Sequence, residues 1–391
     1  MPASPLPTIA KLVYVGLLLG MASAGTVAMA SEAIEDVKLE GAEVTAPPPK
    51  LDLANVRNET FQREATAWFD QRWGLRGYAV RTDNAIGVAL FGESRTDQHA
   101  AVGSGGVLFT RDDLAYVNRA ESPDETIELA RRFAHVQTQL RAHGKVLLPI
   151  IAPAKTSFHR EAIPSTWRRR GAFGHSDEDL YGAFVRTLKE ERALFVDARA
   201  LLAAEAKSPE DVFQKPARHW RLSAACRTLQ AAIDAVRPEM PELGNEQVDC
   251  RTRIDPDPSI SSNEFDIFRL LNTWQSKPKA VDGDVLVGDE SAPALLIPTL
   301  FVGSSFVWNF TYVTRDIGVL SPSLFYYYDE SSYDPKTGLF LEKIVPFTDK
   351  WRADTLSRRL YLVVVLETYL PVDGKKFIDE LEKELSGEPQ K

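Results

Sequence analysis

The sequence is poor in the residues that build metal and redox centres. It has only two cysteines, and its six histidines form no H-E-x-x-H or H-x-H pattern, so we predict no metal site. The glycine-dense stretch at residues 103–106 lacks the G-x-G-x-x-G spacing of a dinucleotide-binding loop, and we predict no cofactor. No sustained Lys/Arg block offsets the formal net charge of −9, which argues against a nucleic-acid partner.

The first thirty residues carry a single charge, on Lys11. An apolar stretch follows it, and small residues then run to Ala28-Met29-Ala30, which is the order of a secretory signal peptide with Ser31 as the first mature residue. An uncleaved membrane anchor is the alternative, because the charge-free run to Ala30 is just long enough to span a bilayer. Either interpretation places the rest of the chain on the exported side of the membrane.

The two cysteines, Cys226 and Cys250, have neither C-x-x-C nor metal-like spacing. In an oxidising compartment an isolated pair of cysteines most simply forms a disulfide. We therefore predict a Cys226–Cys250 bridge, which would tie the helix after His219 to the segment before Arg251.

Three regions follow from composition. Residues 1–30 are the signal peptide or anchor, and residues 31–55 are acidic and then proline-rich, which predicts a disordered tether. The whole sequence is 44% hydrophobic and 26% charged, which is an ordinary globular composition, and residues 56–391 make up most of it. We assign these residues to one large domain.

Helical and strand patterns alternate along this domain. Amphipathic spacing predicts helices over residues 61–73, 126–143, 181–193, 224–236 and 377–385, and apolar runs predict strands over residues 145–153, 194–197, 294–302 and 360–366. Continuous apolar strands alternating with helices are typical of a parallel sheet that is covered on both faces. The predicted fold class is therefore α/β.

Two serines follow the strand predicted at residues 294–302. That run ends at Gly303 and passes through Ser304 and Ser305 toward a probable helix start. In open α/β sheets ligands bind beyond the carboxyl ends of the strands, where free N–H groups at a helix N-terminus can stabilise an oxyanion. The alternative is a purely structural N-cap serine.

The segment Val212–Ser223 leads into the helix predicted at residues 224–236 and contains His219. From the start of that helix His219 could act as the general base for a serine. A histidine beside a tryptophan is otherwise a packed, hydrogen-bonded structural residue.

Five segments, taken in order, resemble the alginate O-acetyltransferase family of periplasmic proteins with an SGNH-hydrolase-like domain. The resemblance extends from about Phe61 to Glu367. Its motifs are Phe69–Arg76 at the start of the family domain, Gly103–Phe109 at G-x-x-G-W-L-F, Pro149–Lys155 with Pro164 at P-x-P-x-K, Phe213–Trp220 at Y-x-x-T-D-x-H-W, and Gly303–Phe306 at G-[DT]-S-[FY].

The resemblance implies an SGNH-hydrolase-like, flavodoxin-like parallel sheet with helices on both faces, with Ser305 as nucleophile and His219 as general base. Ala217 stands where the family has an aspartate, two residues before the histidine. That carboxylate orients the imidazole, and its loss can cost about 10⁴ in turnover. Three explanations remain open: a Ser-His dyad, an acid from elsewhere such as Asp211, or a protein that has lost catalysis.

The implied function is periplasmic transfer of acetyl groups to hydroxyls of an exopolysaccharide such as alginate, with a membrane-bound acyltransferase as the acetyl donor. Trp220, Trp308 and Tyr328 are the candidate residues for stacking against sugar rings, with core packing as the alternative for each. Two further functions remain open. One is a non-catalytic polysaccharide-binding or assembly factor of the secretion complex, and the other is an acetylesterase that uses the same acyl-enzyme.

Overall fold

A computed structural model describes most of the chain. The described residues are 8–31, 34–35, 37–42, 44–95, 100–117, 119, 122–170, 179–245, 247–279, 281–287, 297–317, 320 and 323–387. The chain forms two compact units, one of Met1–Ala101 with Phe268–Lys277 and the other of Val102–Ile267 with Pro278–Lys391. The boundaries predicted at residues 30 and 55 stay predictions.

The described part of residues 1–101, which belong to the first unit, contains four helices. They are α1 (Thr8–Ser31), α2 (Leu53–Arg57), α3 (Thr60–Arg72) and α4 (Arg76–Phe91). Residues Ala10–Ser31 of α1 are long and apolar enough to cross a membrane, a property that a signal sequence shares. The helix predicted at residues 61–73 is present as α3.

Strands have the following bounds in chain order: β1 (Ala100–Val102), β2 (Leu108–Thr110), β3 (Val146–Ala152), β4 (Val196–Asp197), β5 (Thr252–Asp255), β6 (Gly283–Leu286), β7 (Thr299–Gly303), β8 (Ser323–Tyr327), β9 (Ser331–Tyr333), β10 (Phe340–Lys343) and β11 (Leu360–Leu366). The main sheet has the order β10-β9-β8-β7-β11-β3-β4. Strands β8, β7, β11, β3 and β4 pair in parallel.

The predicted α/β fold is confirmed, but the sheet, which was predicted to be parallel, is mostly and not wholly parallel. Strands β9 and β10 extend its edge in antiparallel pairing. Only three residues connect β8 to β9, and a parallel crossover needs a dozen or more. The strand predicted at residues 294–302 overlaps β7, and the first three residues of that prediction lie outside the described residues. Two of the six histidines, His99 and His175, also lie outside them.

Helices cover both faces of this sheet. Those after α4 are α5 (Arg111–Tyr116), α6 (Asp124–Arg141), α7 (Lys155–Phe158), α8 (Ser165–Arg170), α9 (Leu180–Glu190), α10 (Ala198–Glu205), α11 (Leu222–Val236), α12 (Asp266–Leu270), α13 (Val307–Ile317), α14 (Asp349–Leu356) and α15 (Lys375–Ser386). Leu148 and Ile150 of β3 pack with α10, α11 and α13, whereas Leu147 and Ile151 pack with α6, α9 and α15. Both faces of β3 are buried, which explains its unbroken apolar run.

The predicted disulfide is confirmed. Cys226 of α11 is bonded to Cys250, which precedes β5, with their Cα atoms 5.6 Å apart. The bridge joins residues separated by 24 positions. It holds the helix that follows His219 against the segment that leads into β5.

Candidate active site

Ser305 lies at the carboxyl end of β7, just before α13. The backbone of Gly303 has φ +147°, and a Cβ there would lie 2.7 Å from the carbonyl oxygen of Val364 on the neighbouring strand. Only glycine fits this close approach of two backbones. The chain then turns at Ser304 and Ser305, and the N–H of Val307 donates to the Ser304 carbonyl at 3.1 Å.

The structure brings Ser305 and His219 together. The Ser305 hydroxyl lies 2.7 Å from Nε2 of His219, although 86 residues separate them in the sequence. Ser304 is buried, and its hydroxyl has no hydrogen-bond partner among the described residues. The side chain that faces the imidazole is therefore that of Ser305 and not that of Ser304. This is the serine that the family resemblance implied.

A carboxylate that the sequence analysis did not identify contacts the other side of the imidazole. Oδ2 of Asp266 lies 2.5 Å from Nδ1 of His219. Asp266 is the first residue of α12, and no motif marks it in the sequence. Asp211, which the sequence offered as one possible replacement for the family's aspartate, does not contact His219 in this way. Its carboxylate accepts hydrogen bonds from the N–H groups of Lys207 and Ser208 instead.

Asp266 is held in its charged form. Burial alone would raise its pKa, but hydrogen bonds from His219 and from the backbone N–H groups of Arg218 and Ile267 outweigh burial and lower the pKa below its ordinary value. Both N–H groups donate to Oδ1 at 2.6 Å. One carboxylate oxygen thus accepts hydrogen bonds from two backbone N–H groups, and the other faces the imidazole.

Neighbouring side chains complete the surroundings of His219. The ring of Phe306 packs on the imidazole with centroids 5.0 Å apart. The Arg218 guanidinium donates to the Tyr369 hydroxyl at 2.6 Å and lies 3.7 Å from Asp113. The imidazole therefore contacts an aromatic ring and the Asp266 carboxylate, while the cation of the preceding residue, Arg218, is paired with Tyr369 and Asp113.

The three predicted sugar-stacking aromatics have different surroundings. Trp220 is 1% exposed and packs on Phe306 and Phe310. Trp308 is partly buried and packs on Phe325 among other aromatic rings. Tyr328 is 43% exposed, and its N–H donates to the carbonyl of Gly303 at 2.9 Å, so it lies beside the strand end that carries Ser305.

A cavity of about 150 Å³ adjoins His219. Its lining includes Trp220, Asn309 and Tyr312. The Asn309 amide donates to the Trp220 carbonyl at 2.9 Å, and its own oxygen has no partner among the described residues. The wall beside the imidazole thus includes a buried hydrogen-bond acceptor.

No metal-like cluster lies in the described part of the chain, since no three His, Cys, Asp or Glu side chains there are arranged to hold an ion. The residues that meet at Ser305 are instead a hydroxyl, an imidazole and a carboxylate. This is the set that activates a serine for acyl transfer.

Comparison with solved structures gives distant similarities. The O-acetyltransferase domain of Pseudomonas putida AlgJ is 19% identical, with 73% of this chain and 99% of that chain covered and a TM-score of 0.43. AlgX of Pseudomonas aeruginosa is 13% identical, with coverages of 74% and 67% and a TM-score of 0.45. PatB1 of Bacillus cereus is 8% identical, with coverages of 71% and 99% and a TM-score of 0.47.

No curated protein matches the chain. The family model of the SGNH hydrolase-like domain of the acetyltransferase AlgX matches residues 100–314. This match covers more than half of the sequence and includes His219, Asp266 and Ser305. The chain therefore belongs to the AlgX family of SGNH hydrolase-like acetyltransferases.

Proposed function

We propose that the protein is an O-acetyltransferase that passes an acetyl group through Ser305 to a hydroxyl of an exported polysaccharide. The observation that carries this proposal is the continuous hydrogen-bond chain from Ser305 through His219 to Asp266. Such a chain activates a serine because the imidazole accepts the hydroxyl proton while the carboxylate stabilises the resulting imidazolium.

In the first half-reaction the Ser305 oxygen attacks the acetyl carbonyl carbon of the donor. The hydroxyl proton moves to Nε2 of His219. The bond between the acetyl carbon and the donor oxygen then breaks, and His219 returns the proton to that leaving oxygen. The product is an acetyl ester on Ser305, with the donor released as an alcohol.

In the second half-reaction a sugar hydroxyl attacks the Ser305 ester. Its proton moves to Nε2 of His219 as the new carbon–oxygen bond forms. The bond from the acetyl carbon to Ser305 breaks, and the proton passes from the imidazole to the serine oxygen. If water takes the place of the sugar, the same steps give ester hydrolysis.

The negative oxygen of each tetrahedral intermediate needs donors that are already in place. The N–H groups of Ser305 and Phe306 precede the first turn of α13, where backbone donors have no partner within the helix and the dipole is positive. We assign the stabilisation of this oxygen to these two groups.

Membership of the family supports a proposal for the acceptor and for the cellular setting. We propose a polysaccharide acceptor, with alginate as the first polymer to test, and a membrane-bound acyltransferase as donor. Tyr328 is the exposed aromatic beside the site, and Trp308 lies deeper in the same aromatic cluster. We assign sugar stacking to Tyr328 first, and we place the domain in the periplasm behind an N-terminal signal or anchor.

The non-catalytic alternative depends on Ala217, which leaves the family's aspartate position without an acid. Asp266 supplies a carboxylate to His219, so the missing acid at residue 217 does not favour a purely binding role. The esterase alternative shares the acyl-enzyme and differs only in the acceptor.

One assay separates these functions. Mature protein is incubated with 4-nitrophenyl acetate, with and without alginate oligosaccharides, and products are followed by absorbance and mass spectrometry. Acetylated oligosaccharide supports transfer, and acetate released regardless of acceptor supports an esterase. Activity that survives Ser305→Ala contradicts the proposed mechanism.

A further inference from the structure

Lys155 is a fully buried lysine close to the site. It begins α7, three residues beyond the end of β3, and is 1% exposed. Its ammonium group donates to three backbone carbonyls, those of Gln214 at 2.9 Å, Lys215 at 2.6 Å and Ala217 at 2.6 Å. An ammonium group has three N–H donors, so this arrangement uses all of them.

The three carbonyls belong to the turn that immediately precedes Arg218 and His219. The turn also closes on itself, because the Ala217 N–H donates to the Gln214 carbonyl at 3.1 Å. On the other side, the N–H of Arg218 donates to Asp266. The chain entering His219 is thus bound by Lys155 before the histidine and by Asp266 beside it.

Burying an ammonium group is costly unless it is well paired. Here the partners are main-chain oxygens of a single turn and not a carboxylate. The backbone conformation of the turn sets the direction of each carbonyl. Three simultaneous hydrogen bonds from one ammonium group therefore fix both the conformation and the orientation of the turn. A neutral or apolar side chain at this position would leave three buried carbonyls without these donors.

We propose that Lys155 is a positioning residue: its ammonium group fixes the turn 214–217 and so directs the imidazole of His219 toward Ser305. The inference rests on the proposed function, since it assigns a role in the same acyl transfer.

The charge state of Lys155 gives this role a pH dependence. Burial lowers the pKa of Lys155 to about 7, against the opposing effect of Asp266, Asp113 and Glu210. His159, the residue after α7, also interacts electrostatically with Lys155, and Lys215 lies on the turn itself. A neutral amine has two donors for three carbonyls, so the ammonium form is the one that holds the turn.

The test compares Lys155→Met with Lys145→Met. Lys145 is a matched control, because it lies just before the other end of β3, is half-buried and also donates to a backbone carbonyl, that of Leu356. We measure the rate of Ser305 acetylation by 4-nitrophenyl acetate from pH 5.5 to 9. Lys155→Met should lower this rate ten- to hundredfold, the order expected for a misplaced catalytic group.

Lys145→Met should stay within about twofold of the wild type, since the groups it contacts are not those that hold His219. Wild-type activity should also fall as the pH rises through about 7, and Lys155→Met should lack this alkaline limb. A folded Lys155→Met with unchanged acetylation, or an equal loss in both variants, overturns the proposal.

A second variant tests the inference if Lys155→Met does not fold. Glu210 has a partly exposed side chain and raises the pKa of Lys155. Glu210→Gln should therefore move the alkaline limb to lower pH. A limb that stays in place contradicts the proposed role.

A structural readout separates this inference from the acetyl-transfer proposal. Proton NMR follows the Nδ1 proton of His219, which bonds to Asp266 and is protected while the imidazole is held. Loss of this signal in folded Lys155→Met, with the signal kept in Lys145→Met, supports positioning even if the wild type transfers no acetyl group. A signal unchanged in both variants overturns it.

Discussion

At the scale of single residues, the two ring nitrogens of His219 have different tasks. Nε2 faces the Ser305 hydroxyl, and Nδ1 faces a charged carboxylate. The carboxylate requires the proton on Nδ1, which leaves Nε2 free to accept the serine proton. Asp266 therefore sets the tautomer that the reaction needs.

Replacing Asp266 by asparagine tests this assignment. Asp266→Asn keeps the shape of the side chain but can donate to Nδ1 and so favour the wrong tautomer, which should lower kcat by about 10⁴. Turnover of 4-nitrophenyl acetate measures the effect. Asp211→Asn is the control and should leave kcat within about twofold. An Asp266→Asn enzyme of near wild-type turnover would show that another group orients His219.

The sequence and the structure predict different effects of restoring an aspartate at residue 217. From the sequence alone, Ala217→Asp is expected to raise turnover if catalysis persists. Ala217 is buried, and its carbonyl binds Lys155, while Asp266 already occupies Nδ1. A second carboxylate would be buried at this position, and burying it carries a desolvation cost that only a well-placed partner offsets.

We therefore expect Ala217→Asp to leave turnover no higher than in the wild type and to lower the free energy of unfolding by about 2 kcal/mol. Ester turnover and urea unfolding measure the two effects, with Ala217→Ser as the uncharged control. Turnover several times above the wild type would mean that Asp266 does not serve as the acid.

At the scale of elements, the connection from β11 to α15 contains an acid in an unfavourable setting. Asp373 is 8% exposed, and burial raises its pKa to about 7, although the N–H of Leu366 donates to it at 3.0 Å. The folded protein therefore binds this proton more tightly than the unfolded chain does. Its contribution to stability is greatest at acid pH and is lost as the pH rises from about 4 to about 7.

Asp373→Asn should remove the fall in stability at neutral pH. The amide oxygen still accepts the hydrogen bond from the N–H of Leu366, and the side chain carries no charge. We expect the variant to be more stable than the wild type at pH 8 by about 2 kcal/mol and to gain nothing at pH 4. Urea unfolding at both pH values measures the difference. Asp112→Asn, at an exposed site on α5, should change stability little, and equal gains at pH 4 and pH 8 would contradict the explanation.

At the scale of the whole molecule, the disulfide restricts the unfolded chain. The bridge closes a loop between residues separated by 24 positions, which stabilises the folded state by about 3 kcal/mol in the chain-entropy description. Cys226→Ala with Cys250→Ala should lower the free energy of unfolding by this amount while the site still forms at low temperature. Two free thiols in the denatured, unreduced wild type would contradict the bridge.

The α/β class, the disulfide and the N-terminal apolar segment can be predicted from the sequence alone, because each depends on a short-range pattern such as an unbroken apolar strand or an isolated cysteine pair. The pair Ser305 and His219 is implied by the resemblance to the family, since the local patterns alone also fit an N-cap serine and a structural histidine. The antiparallel strands β9 and β10 were not predicted, because they are short and lack a continuous apolar run.

Which acid serves His219, and what holds the histidine in place, depend on contacts between residues that are far apart in the sequence. Asp266 is 47 residues from His219 and belongs to no motif, and Lys155 reaches the turn before the histidine from 59 to 62 residues away. A short-range pattern carries no signal for such contacts. Lys155 and Ser305 follow strands β3 and β7, whose carboxyl ends lie along one edge of the parallel sheet, whereas Asp266 follows β5 of a separate antiparallel pair and meets His219 only in the folded chain.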